Sequence, residues 1–327
     1  MVRFTVDAHV HALRFAANFR ERNEKPTYAK LGRMLWQLEP FDNSERLLAD
    51  MDRYKIDMAV IQSHPAWNMR NDMIAEIVKK NPDRFVALCT SADHSRKVYA
   101  KQAKFDIELI VEELEGWLAT PYFKGIGEAL LQLNPENPAF DREAMNNLRR
   151  VMDLVAKHKK VICFHTGPLL FQIPLRLSGN PIYIDDLALE YPEVPIIVGH
   201  MGVQIGWYEQ WAEAAQMVCA MHENVYLETS QAWSELIERA CLDPHIGPEK
   251  IMYGSDWGAS VEYFVDPRNR NRSYAAQDPH KGPPKFLVDH FKWNLDQVNN
   301  IRMTEDDRAL ILGENVAKLF GLKKKSK

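Results

Sequence analysis

The sequence predicts an α/β fold, a (β/α)8 TIM barrel with an insertion after strand 1 and a C-terminal helical extension. Three observations carry this. Eight short apolar runs recur along the chain, and amphipathic helix-like stretches separate them. The first run lacks the glycine-rich turn that opens a doubly wound sheet. Most of the runs are continuous rather than alternating, as expected of strands in a sheet that helices cover.

The runs span residues 4–10, 58–63, 84–90, 123–128, 161–165, 194–200, 224–229 and 250–256. After the second, their ends recur every 27–38 residues or so, close to the roughly 30 residues of one β-α unit. The first interval is about 54 residues, which leaves room for the insertion. Residues 43–54 carry Leu47, Leu48, Met51 and Tyr54 at helical spacing. Residues 72–80 stop at the turn Asn81-Pro82-Asp83. Residues 141–158 start at an Asp141 cap and place Leu148, Met152 and Val155 on one face. Helices are also expected over 182–191, ended by Tyr191-Pro192-Glu193, and over 205–222. Residues 260–284, rich in Pro, Asn, Arg and Asp, read as a loop. Residues 304–322 read as the closing helical segment, opening on Thr304-Glu305-Asp306-Asp307 like a capping box. No low-complexity linker interrupts the chain, so a single domain over 1–327 is expected.

Composition narrows the function classes. The 327 residues are 46% apolar and 26% charged, which supplies ample material for a core and excludes whole-chain disorder. Lys and Arg total 41 against 45 Asp and Glu, a net charge of -4 that gives no electrostatic reason to expect nucleic acid. The basic tail of Lys323, Lys324, Lys325 and Lys327 reads as a solvated terminus. No apolar stretch reaches the ~18–20 residues that span a bilayer, and no signal-peptide core precedes the first strand. Cys89, Cys163, Cys219 and Cys241 are scattered and form no C-x-x-C pair, so reduced thiols in a cytoplasmic protein are expected. A small-molecule substrate fits this profile; the oligomeric state is open, a homo-oligomer included.

The informative feature is where the histidines and acids fall. Asp7, His9 and His11 alternate, so on a regular strand they would project to one face. Glu128, His165, His200 and Asp256 end four other strands. Such groups are costly to bury without partners. The C-terminal rim is where barrels build their active sites. Imidazole and carboxylate together suit zinc first, with manganese, iron, cobalt or nickel also accepted. Large aromatics at Trp67, Phe171, Trp233 and Trp257 suggest an enclosed pocket, although core packing explains any one of them equally well. The substrate-contact candidates are Trp257, Trp67, Arg176 and His64.

The segments Asp7-Ala8-His9-Val10-His11, Phe164-His165-Thr166-Gly167, Gly199-His200-Met201-Gly202 and Gly254-Ser255-Asp256-Trp257 resemble signatures of the amidohydrolase superfamily. They are most similar to its amidohydrolase-related (family 2) branch of metal-dependent hydrolases and decarboxylases. The ending Glu314-Asn315-Val316-Ala317-Lys318-Leu319-Phe320-Gly321 resembles that branch's last helix. The resemblance implies that His9, His11, His165 and Asp256 ligate a divalent metal, one or two ions per chain. His200 would then ligate a second ion or act as acid/base beside a single one. Glu128 stands where binuclear members hold a bridging carboxylate. It is a candidate bridge, with an outer-shell or ion-paired acid as the alternative, and Asp7 is expected to orient an imidazole.

A metal-bound water, with Asp256 moving its proton, would make the chain a hydrolase of a lactone, amide or cyclic ketone. The branch's decarboxylases use such a pocket to release carbon dioxide from an aromatic or unsaturated acid. That lyase chemistry needs a cation for the carboxylate, for which Arg14, Arg70 and Arg176 are candidates. A non-catalytic, metal-stabilised binding protein is the third reading, and a closed ligand shell would mark it.

Overall fold

The computed structural model describes residues 4–16, 39–65, 68–137, 139–168, 178–203, 209–258, 264–265 and 289–323. All eight expected strands are present: β1 (Val6–Val10), β4 (Met58–Ile61), β5 (Phe85–Cys89), β6 (Phe123–Ala129), β7 (Val161–His165), β8 (Ile196–Gly199), β9 (Val225–Glu228) and β10 (Ile251–Met252). They form one parallel sheet in the order β1-β4-β5-β6-β7-β8-β9-β10. Backbone bonds from Ala8 N to Tyr253 O (2.9 Å), Asp256 N to His9 O (2.9 Å) and His11 N to Trp257 O (2.8 Å) join the last strand's continuation to the first. The result is a (β/α)8 barrel.

A second sheet joins the chain after strand 1 to the chain after strand 8. In it β2 (Leu13–Ala16) pairs antiparallel with β3 (Pro40–Asp42) and parallel with β11 (Phe264–Val265). The expected insertion and the 260–284 loop lie largely outside the described residues.

The covering helices are α1 (Ser44–Tyr54), α2 (Asn71–Lys80), α3 (Ala92–Tyr99), α4 (Ile107–Leu118), α5 (Arg142–His158), α6 (Ile184–Glu190), α7 (Gln210–Met221) and α8 (Ser234–Leu242). Asp141 caps α5 as expected, accepting from Ala144 N at 3.0 Å. Helix α3 carries His94. His158, the last residue of α5, pairs with Glu115 at 3.0 Å, and His222, just past α7, pairs with Asp185 at 2.7 Å. Among the described residues no helix is long and apolar enough to cross a membrane.

The C-terminal extension comprises α9 (His290–Asn299), α10 (Glu305–Ala309), a π-turn at Leu310–Glu314 and α11 (Asn315–Phe320). Thr304 caps α10 by accepting from Asp307 N at 3.1 Å. Two apolar layers result. The larger packs helices against the sheet's outer face. The smaller fills the barrel: Val6, Ala8, Val60, Leu88, Cys163, Ile197 and Met252 point inward, and Val316 and Phe320 of α11 close its floor. The opposite, C-terminal end is left for polar side chains.

Candidate active site

Strand β1 does not alternate as the sequence suggests. Val6 and Ala8 lie in the inner layer, but Val10 packs in the outer one. The register against β4 shifts between Asp7 and Val10. That irregularity turns His9 and His11 inward and takes Asp7 off their face. Asp7 Oδ1 accepts from the backbone N–H groups of His9 (2.8 Å) and Ser255 (3.1 Å). Asp7 therefore holds backbone rather than an imidazole, which corrects the expected role. Burial pushes its carboxyl up to about 7 against these hydrogen bonds.

Strand β6 does the same. Its register shifts between Ile126 and Ala129, which brings Glu128 into the barrel mouth. Gly127 leaves the room this needs: a Cβ there would lie 2.5 Å from Gln62 Oε1 and 2.8 Å from a Leu88 methyl. His165 follows from regular β7. His200 and Asp256 stand just beyond β8 and β10 with positive φ of 62° and 51°, a conformation few side chains adopt and one that concentrates at functional sites.

The structure brings all six predicted ligand candidates together, all buried. His9 Nε2 lies 3.3 Å from His11 Nε2, 3.6 Å from Glu128 Oε2 and 3.8 Å from Asp256 Oδ1. His11 Nε2 lies 3.8 Å from Glu128 Oε2 and 3.2 Å from Asp256 Oδ1. The other carboxylate oxygen, Glu128 Oε1, accepts from His165 Nδ1 and lies 2.9 Å from His200 Nε2. One carboxylate thus faces two separate imidazole pairs, one pair at each oxygen.

The donor set fits a divalent ion. A tetrahedral ion bonded to N and O at about 2.0–2.2 Å spaces its donors about 3.3–3.6 Å apart, close to the separations around His9 and His11. His9 Nδ1 donates to Glu228 Oε2 at 3.0 Å and His11 Nδ1 donates to Gln62 O at 3.1 Å. In the neutral rings both Nε2 atoms then carry lone pairs, and these repel at 3.3 Å unless a cation lies between them. His165 Nε2 is buried with no hydrogen-bond partner.

The electrostatics agree. Burial disfavours charge on every group, yet Glu128 and Glu228 together outweigh it at His9, and Glu128 does so at His200, so both imidazoles sit above their ordinary value. The surrounding histidines likewise hold Glu128 and Asp256 well below the usual carboxylate range against burial. At His9 and His200 the centre favours positive charge, whereas burial holds His165 below its ordinary value despite Glu128. His64, buried edge-on to His165 with ring centroids 6.0 Å apart, is instead pushed down to about 3, mainly by burial, and is neutral.

Sequence reasoning missed Glu228, the buried residue that ends β9. It accepts from His9 Nδ1 (3.0 Å), His200 N (3.1 Å), Ser230 N (2.6 Å) and Ser230 Oγ (2.8 Å). Gly254 opposite leaves it space, since a Cβ there would lie 1.8 Å from Glu228 Oε1. The available signal was the one used for Glu128, a carboxylate at a strand's C-terminal end.

The substrate-contact candidates divide. His64 joins the cluster. Trp257 does not: its ring packs under Arg14 (4.2 Å to the guanidinium) and on Phe291, and Nε1 donates to Asp50 at 3.2 Å. Trp257 is therefore packing at the side of the barrel, a correction of its predicted role. Trp233 likewise packs against the outer core. Trp67, Phe171 and Arg176 lie outside the described residues. Arg14 donates to the carbonyls of His11 (3.1 Å) and Leu13 (3.3 Å), and Arg70 is exposed beside Asp72.

A closed parallel barrel with imidazoles and carboxylates gathered at its C-terminal mouth is the architecture of a barrel enzyme. The chain belongs to the amidohydrolase family: that family's model matches residues 6–322. Solved structures with a similar fold include 5-carboxyvanillate decarboxylase from Novosphingobium aromaticivorans, crystallised with manganese (18% identity, TM-score 0.59, covering 98% of this chain and 97% of that one). Another is 2,6-dihydroxybenzoate decarboxylase from Rhizobium (19%, 0.58, 98% and 99%). A third is a probable 2-pyrone-4,6-dicarboxylic acid hydrolase from Acinetobacter baumannii (16%, 0.54, 97% and 99%). No curated protein matches the chain.

Proposed function

We propose that this chain is a metal-dependent hydrolase acting on a small-molecule carbonyl, a lactone, amide or cyclic ketone, at a centre for two divalent ions. The observation that carries the reading is Glu128, whose two oxygens face two different histidine pairs. His9, His11 and Asp256 would hold one ion, His165 and His200 the other, and Glu128 would join them. Manganese, cobalt or zinc all suit such a mixed nitrogen and oxygen set.

Divalent metal supplies a water acidic enough to give hydroxide near neutral pH, and polarises a carbonyl oxygen. The protein's own groups do the rest. Asp256 Oδ2 accepts from Gln231 Nε2, which holds the carboxylate so that Oδ1 faces the mouth of the cluster beside His11. Ionised and buried, Asp256 takes the water's proton and returns it to the leaving group. Neutral His64 offers a hydrogen bond without a charge, suited to a developing oxyanion.

Decarboxylation in the same pocket calls for one ion and a cation opposite it. Arg14 and Arg70, the described candidates, are turned to backbone carbonyls and to Asp72. The test is metal analysis of the purified protein, followed by assay on lactones, amides and phenolic acids. Two equivalents per chain with oxygen-18 from water entering the product is the expected result. One equivalent with release of carbon dioxide would overturn the reading in favour of the decarboxylase.

A further inference from the structure

Glu228 lies behind the cluster, away from the face where Glu128 meets the imidazoles, and the reaction above does not use it. Its Oε2 receives three groups: His9 Nδ1 at 3.0 Å, the His200 backbone N–H at 3.1 Å and the Ser230 hydroxyl at 2.8 Å. A serine hydroxyl has one proton. Because Ser230 gives it to Glu228, its oxygen must accept from His200 Nδ1, 2.7 Å away. Both rings are thereby protonated at Nδ1, one directly and one through the serine. In both, the remaining Nε2 turns to Glu128, His9 toward Oε2 at 3.6 Å and His200 toward Oε1 at 2.9 Å.

We infer that Glu228 is a positioning residue shared by both ion positions, fixing the ring tautomer and aim of His9 directly and of His200 through Ser230. The sharing rests on the two-ion reading above; the His9 arm stands without it. A ligating imidazole depends on the partner of its other nitrogen, and loss of that partner weakens metal binding about 10–100-fold. Here one carboxylate serves a ligand from β1 and a ligand from beyond β8, so the two ion positions are tied through a group that touches neither. An amide cannot replace it. Glutamine keeps a single acceptor oxygen, and its NH2 would face the Ser230 N–H that now donates to Oε1 at 2.6 Å.

The experiment uses the full chain loaded with cobalt(II). It reads two quantities: cobalt affinity at each site, and the solvent exchange of the cobalt-shifted imidazole N–H protons in the NMR spectrum. His11 is an internal control, because its Nδ1 donates to the Gln62 carbonyl rather than to Glu228. Ser230→Ala should speed exchange of the His200 proton alone and weaken only the second cobalt, by about tenfold or more. Glu228→Gln should speed both the His9 and His200 protons, leave His11 slow, and weaken both sites about 10–100-fold. A His9 proton still slow in Glu228→Gln, or Ser230→Ala disturbing all three protons equally, would overturn the inference. If Glu228→Gln does not fold, Ser230→Ala decides the His200 arm and Glu228→Asp, which shortens the reach to His9, decides the other. One cobalt per wild-type chain would sink the two-ion reading, while the His9 proton would still judge Glu228.

Discussion

At the scale of single residues, the centre is a problem of like charges. Glu128, Glu228 and Asp256 share one buried space with His9, His11, His165 and His200. The proton positions that reconcile them are the positions a cation would take. Glu128→Gln keeps the size and removes the charge. Under the bridging role it should reduce metal content from two equivalents to one and abolish most hydrolytic activity, by the ~10²–10⁴-fold that an essential proton-handling or metal-holding group contributes. Metal analysis beside a rate measurement checks this; unchanged stoichiometry with a mild rate loss would place Glu128 in an outer-shell role instead. The cluster's residues were legible in the sequence as candidate ligands because imidazoles and carboxylates at strand ends have few bland explanations. Glu228 ends a strand in the same way, but its meaning depends on His9 and Ser230, one of them 219 residues away. Trp257 misled because an aromatic beside a ligand looks the same in sequence whether it lines a pocket or packs on Phe291.

At the scale of elements, the strands were legible and their irregularities were not. Each strand is a local apolar run, so its existence shows in the sequence. A bulge is a relation between two strands, and the shifts in β1 and β6 leave no local mark. They matter because they turn His9 and Glu128 into the barrel mouth. The small sheet of β2, β3 and β11 was equally hidden, since it pairs segments far apart in sequence. The C-terminal extension was visible through its Thr304 cap, but its π-turn was not. Gly313 in that turn passes close to the first strand: a Cβ there would lie 2.1 Å from Phe4 O and 2.9 Å from Val6 N. Gly313→Ala should therefore lower stability by about 1–3 kcal/mol. Metal content should stay unchanged, because the contact is at the floor and the ligands are at the mouth. Denaturant unfolding together with metal analysis tests both halves, and loss of metal in this variant would contradict the separation.

At the scale of the whole molecule, the cluster couples stability to pH and to metal. In the metal-free protein His9 and His200 stand above their ordinary 6.5, since Glu128, joined at His9 by Glu228, outweighs burial, and Glu128 stands below its ordinary 4.5. A raised imidazole contributes stability that is full below its unfolded value and is lost as pH rises through the folded one. A depressed carboxyl contributes stability that is full above its unfolded value and is lost as pH falls through the folded one. The metal-free chain should gain most from the cluster between those two ordinary values, 4.5 and 6.5. Ion binding displaces the imidazole protons, so affinity rises with pH. The gap in Tm between cobalt-loaded and metal-free protein should widen from about pH 5.5 to about pH 8. A gap that stays flat or narrows would mean that protons and metal do not compete for these rings.

The seam that closes the barrel has a kinetic meaning. The bond from Ser255 N to Asp7 spans 248 residues, and Asp256 N reaches His9 O across the same junction. Two of the proposed ligands, His9 and Asp256, therefore come into register only when the first and last strands of the barrel meet. Contacts of such separation form slowly, because a long loop must lose its freedom before they return anything. Helices and local strand pairs can form well ahead of that meeting, the grouping of Glu128, His165 and His200 from neighbouring strands included, but the position shared by His9 and Asp256 cannot. Completion of the barrel and readiness of that position to bind metal are thus one event in time, and a refolding chain would take up the ion proposed there at the end of folding rather than be guided by it.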